Sequence, residues 1–160
     1  MPRLSVLAVG RAPAASPEAQ LFARYAGRLR PPIALHEVPD GRGSPAEITR
    51  REAQALLAAL PSGALLVALD QGGLAEGTEA FARRLGRWRE EGRDVAFAIG
   101  GAEGHDVALL ARAGHVMSFG AMTWPHMLVR VMLAEAIFRA DSLARGHPYH
   151  RSGRPGRGAD

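Results

Sequence analysis

Three short runs with almost no polar atoms limit what this chain can fold into: Leu4–Val9 (LSVLAV), residues 64–69 (ALLVAL) and residues 94–99 (DVAFAI). Each is short for a helix and lacks the strict alternation of a half-exposed strand. Such runs fit parallel strands covered on both faces. Between them lie helical patterns. Residues 17–29 place Leu21, Phe22, Tyr25 and Leu29 at helical spacing, with Ser16 as N-cap and Pro17 in the first helical position. Residues 33–38 read as a second strand. Residues 45–60 read as a helix with Ile48, Ala55, Leu56 and Leu60 on its apolar face. Residues 78–91 form a charged helix with Phe81, Leu85 and Trp88 on one side. A short helix over 105–113, a fifth strand over 115–119 and a final helix over His126–Ala144 complete the pattern. Strands alternating with helices predict an α/β domain with a mostly parallel sheet flanked by helices. Ligands of such sheets sit beyond the carboxyl ends of the strands. Three small-residue loops fall there: 70–73 (DQGG), 100–104 (GGAEG) and 120–123 (GAMT).

The 160 residues fit one domain, placed at 1–151, and the final nine (SGRPGRGAD) form a low-complexity basic tail expected to be disordered. Cysteine is absent, which excludes disulfides, zinc–thiolate sites and cysteine nucleophiles. All 20 basic residues are arginine, and the net charge is +4. Four of those arginines (Arg145, Arg151, Arg154, Arg157) lie beyond residue 142, opposed only by Asp160. A basic chain end favours a polyanion such as RNA. Charge alone slightly favours a solvated terminus over that reading. The apolar stretch at 4–9 is too short for a signal peptide, and no run approaches the roughly 18 residues of a membrane span. A cytoplasmic protein without membrane contact is expected.

The last helix has an unusual surface. Between Met127 and Ala140 only Arg130, Glu135 and Arg139 are charged, and apolar side chains cover nearly the whole circumference. A helix apolar on every side is buried on every side. This predicts a symmetric homodimer packed through the C-terminal helix. The competing reading is a central core helix in a monomer. Glu135 and Arg139 stand four apart in the favourable order for an intrahelical pair.

Individually, the chemistry-bearing motifs have bland alternatives. The glycines at 100–104 let backbone approach a ligand closely, and they equally fit a tight turn. They are not the dinucleotide fingerprint, which should follow the first strand, and a chain without lysine has no Walker A loop. The segment 120–124 (GAMTW) can wrap an adenine by backbone hydrogen bonds, or simply connect a strand to a helix. The run 147–151 (HPYHR) combines a phenol that can stack on a base, a guanidinium that can grip phosphate and imidazoles that can move protons. It is a poor metal site, with two histidines and no cysteine, so no metal is expected. His36, His105, His115 and His126 read as structural or exposed.

Together and in order, these pieces resemble the ribosomal RNA large subunit methyltransferase H family, small knotted α/β enzymes of the SPOUT class. The match is carried by residues 4–10 (LSVLAVG), 99–104 (IGGAEG), 123–126 (TWPH), 128–131 (LVRV), Ala134 and Glu135, 138–140 (FRA) and 148–151 (PYHR). The resemblance implies a C-terminal trefoil knot, S-adenosylmethionine as donor and a homodimer. It also implies methylation of N3 of a pseudouridine in large-subunit rRNA on assembled ribosomes. Carried over by position, the donor contacts are Leu69, Gly100, Phe119, Gly120, Ala121, Met122, Thr123 and Trp124. The acceptor side is Glu135, Arg139, Tyr149, His150 and Arg151, at a site completed by the other subunit. The chain departs from the family pattern with Ala102 where proline is common, with Trp124 in an often aliphatic or Phe position, and with nine residues beyond Arg151. The alternative is a non-catalytic RNA-binding ribosome assembly factor on the same fold. A nucleotide-dependent oxidoreductase is disfavoured by the missing fingerprint.

Overall fold

The computed structural model describes residues 2–151; the basic tail, with Arg154 and Arg157, lies outside the described residues. Five strands alternate with five helices: β1 (Leu4–Val9), α1 (Pro17–Ala26), β2 (Ala34–Val38), α2 (Pro45–Ala59), β3 (Leu65–Leu74), α3 (Thr78–Glu90), β4 (Val95–Ile99), α4 (Val107–Arg112), β5 (His115–Met117) and α5 (His126–Ala144). All strands pair in parallel, in the order β2-β1-β4-β3-β5. The expected parallel sheet flanked by helices is present.

Local chemistry sets the helix starts. Ser16 and Ser44 accept hydrogen bonds from the N–H groups of Ala19 and Glu47 (both 3.2 Å), and a proline follows each cap. The Ser44 hydroxyl also donates to Glu47 Oε1 (3.1 Å), tying the cap side chain to the first turn of α2.

The central strands are covered on both sides, as their apolar runs require. Val6, Ala8, Val67, Leu69, Phe97 and Ile99 face α1, α3 and α5. Leu7, Val9, Leu66, Ala68, Ala96 and Ala98 face α2 and α4. Phe97 is fully buried, with Trp88 edge-on to its ring (6.5 Å between centroids), and such burial contributes about 1.5–3 kcal/mol.

Several element bounds differ from the sequence expectation: α4 spans Val107–Arg112 rather than 105–113, and β5 ends at Met117 rather than residue 119. The third strand does not close at 70–73 but continues to Leu74. Its pairing with β5 breaks register between Leu69 and Leu74, and the strand rejoins Met117 afterwards. Gly73 permits this, because a Cβ there would lie 2.7 Å from the Met117 carbonyl carbon. The first helix ends at Ala26 rather than residue 29, although Leu29 is still buried.

Helix α5 lies against both α1 and α3. Leu133, Ala134 and Ile137 are therefore buried by the chain's own elements. Leu128, Met132 and Ala136 form a partly exposed apolar strip on the helix. Arg130 is 2% exposed and anchors the helix. Its guanidinium donates to Glu37 Oε2 (2.6 Å) and to the carbonyls of Val9 (3.0 Å) and Gly10 (2.7 Å), at the ends of β2 and β1. Burial raises the Glu37 pKa, but the Ala12 N–H and Arg130 outweigh it and hold the carboxyl below its ordinary value.

Candidate functional site

A cleft of about 710 Å³ opens at the carboxyl ends of β3, β4 and β5. Three loops form it. After Leu69, Asp70 turns the chain by accepting the Gly72 N–H (2.9 Å). After Ile99, Gly101 and Gly104 pair across a tight turn, with Gly104 at φ +77°. After Met117, the Ser118 hydroxyl accepts the Gly120 N–H (3.0 Å) and donates to the Gly120 carbonyl (3.1 Å). Gly120 sits at φ +106°, where other residues are strained. The Gln71 side-chain amide donates to Thr123 Oγ1 (3.0 Å), joining the first loop to the third.

Leu69, Gly100, Phe119, Gly120, Met122, Thr123 and Trp124 all border this cleft. Ala121 does not, although it belongs to the same loop. Met122 and Trp124 remain 71% and 39% exposed, so apolar surface rims the opening.

The charge of the lining is informative. Asp70 and Glu103 face the cleft, and among the described residues no arginine does, in a chain with 20 of them. His105 also lines it. Its Nε2–H donates to the Ala98 carbonyl (3.1 Å), and burial holds its pKa below the ordinary histidine value. At neutral pH the imidazole is uncharged, so the cleft is acidic. Such a lining favours a cationic ligand and disfavours a pyrophosphate.

The acceptor-side residues gather elsewhere. Met117–Phe119 separate the cleft from a groove of about 440 Å³ bordered by α1, α3 and α5, and Glu135 and Arg139 line that groove. Arg139 donates through Nε (2.9 Å) and Nη2 (2.7 Å) to Glu135 Oε1. Its Nη1 donates to His150 Nδ1 (3.2 Å), and His150 Nε2–H donates to Glu79 Oε1 (3.0 Å). Tyr149 donates to Glu135 (3.2 Å), stands edge-on to Phe138 (4.9 Å) and lies under the Arg139 guanidinium (4.7 Å). Burial, then Tyr25 and Glu135, push the Tyr149 phenol up to about 12, so it stays protonated. Arg151, the last described residue, is exposed. None of these five borders the cleft at the strand ends.

Sequence reasoning set His105 aside and gave Asp70, Gln71 and Glu103 no role. Their signal was position, since each lies in or next to a glycine loop at a strand end. Among the described residues, no cluster of histidine and acidic side chains could hold a metal ion, and no helix is long and apolar enough to cross a membrane.

Comparison with known proteins agrees with this architecture. A family model described as "Predicted SPOUT methyltransferase" matches residues 2–150. A Gluconacetobacter diazotrophicus protein named ribosomal RNA large subunit methyltransferase H is 59% identical over 138 residues, 86% of this chain and 91% of its own. A protein of the same name from Acidiphilium cryptum is 52% identical over 96% of both chains. Among solved structures, a probable methylase family protein from Haemophilus influenzae superposes with a TM-score of 0.59 at 8% identity, over 97% of this chain and 73% of its own. That likeness concerns the fold alone. By the extent of these matches, the chain belongs to the ribosomal RNA large subunit methyltransferase H family of SPOUT methyltransferases.

Proposed function

We propose that this protein methylates N3 of a pseudouridine in large-subunit ribosomal RNA, using S-adenosylmethionine and acting on assembled ribosomes in the cytoplasm. The names of its relatives support the RNA substrate. The observation that carries the donor is the arginine-free, acidic cleft ringed by three small-residue loops. Its acidic lining suits a sulfonium, and its glycine backbone leaves room for an adenosine. When bound, the donor supplies an electrophilic methyl group on a cationic sulfur.

The tail cluster supplies the acceptor chemistry. N3 of the base must lose a proton as its lone pair takes the methyl carbon. His150 Nδ1 carries the free lone pair of that imidazole, since arginine can only donate to it. Releasing Arg139 would free Nδ1 to accept the proton, and Glu79 at Nε2 would stabilise the imidazolium. Arg139 and Arg151 then hold RNA phosphate, and Tyr149 offers its ring to the base. Alignment supplies much of the acceleration in such a transfer.

The separation of the two clusters supports a homodimer, in which one subunit's tail serves its partner's cleft. The strip of Leu128, Met132 and Ala136, with Leu21 and Tyr25 across the groove, offers an apolar face for that contact. A trefoil knot within one domain belongs to the same reading. The return of the chain from the 118–125 loop to Arg130, seated at the ends of β1 and β2, supports it. Incubation with labelled donor and ribosomes lacking the modification, followed by mass mapping of the rRNA, tests the whole reading. Label at a pseudouridine is the expected result, and no incorporation rejects it.

A further inference from the structure

Behind the donor-side cleft, on the opposite side of the glycine loop 100–104, lies a carboxyl group with no assigned role. Glu52 of α2 is 4% exposed. Its Oε2 accepts the Gly41 N–H (2.9 Å), and its Oε1 is buried without a hydrogen-bond partner. No arginine reaches it among the described residues. Both oxygens press on the back of Gly101: a Cβ there would stand 3.1 Å from Oε1 and 3.3 Å from Oε2. Gly101 also lines the cleft.

A buried acceptor left unmade is costly, so it persists where something uses it. The nearest backbone is the glycine turn, whose amides move with the loop. We infer that Glu52 is a positioning residue for donor binding. Its Oε1 receives a backbone N–H of the 100–104 turn when that loop settles on the donor, and its Oε2 holds the Gly41 loop in register with it. A side chain at 101 would crowd this carboxyl and Val9, which would have to shift by a few tenths of an ångström. The inference rests on the cleft being the donor site.

Glu52→Gln tests it, since the side-chain amide keeps the shape and one acceptor for Gly41 but replaces the other oxygen with a donor. By calorimetry, S-adenosylmethionine should bind this variant about tenfold more weakly than wild type. Its melting temperature should change little, and turnover at saturating donor should match wild type. Unchanged affinity overturns the inference, as does a loss that tracks general unfolding. A second measurement needs only the wild-type protein. In hydrogen exchange, added S-adenosylmethionine should slow the amides of 100–104 and of Gly41 together. Protection of the turn without Gly41 overturns the inference. Failure of the wild-type protein to bind S-adenosylmethionine would instead overturn the donor assignment.

Discussion

The donor-side cleft and the tail cluster are built on opposite principles. The cleft is made of backbone: glycines, turns and strand ends, with two acidic side chains and two imidazoles, of which His105 is held neutral by burial. The tail cluster is made of side chains: Arg139 fixed between Glu135, Tyr149 and His150, with Glu79 behind. In the function proposed above, the first takes the sulfonium donor and the second meets the RNA. Substitutions in the two regions should therefore act on different substrates.

The largest expected effect is on the tail side. His150→Ala should lower turnover by about 10²-fold or more while calorimetric affinity for S-adenosylmethionine stays the same. Unchanged turnover would remove the imidazole from the chemistry, and a parallel loss of donor affinity would break the division itself. Gly120→Ala sharpens the other side. Placing a Cβ at φ +106° costs of order 1–3 kcal/mol, so donor affinity should fall roughly tenfold with RNA affinity intact. Equal weakening of both ligands in filter binding would show that the regions are not separate.

Smaller effects separate scaffold from site. The lowered pKa of Glu37 contributes stability that is present above its unfolded value near 4.5 and lost as pH falls through the lower folded value. Glu37→Gln should cost about 1 kcal/mol at pH 7 and flatten this acid loss in denaturant titrations. A wild-type acid profile in the variant would mean that another carboxyl controls it. The smallest effect separates charge from shape in the cleft. Asp70→Asn keeps an acceptor for the Gly72 N–H but removes the charge. It should weaken S-adenosylmethionine by about threefold and leave neutral S-adenosylhomocysteine nearly unaffected. Equal loss for both ligands would show that the carboxylate matters only for shape.

The two regions also differed in how far they could be read from sequence. The strands and the glycine loops were legible because apolar runs and small residues at strand ends have local signatures. The third strand's extension was not, because it depends on Gly73 passing within reach of Met117 backbone. The Glu135–Arg139 pair was legible as a helical spacing. The engagement of His150 by Glu79 was not, since 71 residues separate the partners. Arg130 read as an ordinary helix charge, whereas it fastens the helix to the first two strands. His105 read as structural or exposed. Its hydrogen bond to Ala98 makes it structural, yet the same ring also forms part of the cleft wall.

The Arg130 lock has a consequence for synthesis. It joins residues 93, 120 and 121 positions apart, with its acceptors on β2, at the end of β1 and just after it. The guanidinium can be desolvated only once those acceptors are in place. The helix that carries Arg130 must then remain unsettled until β1 and β2 have paired. Assembly with so many distant contacts should be slow, and chains cut short before Arg130 should lack the fastening altogether.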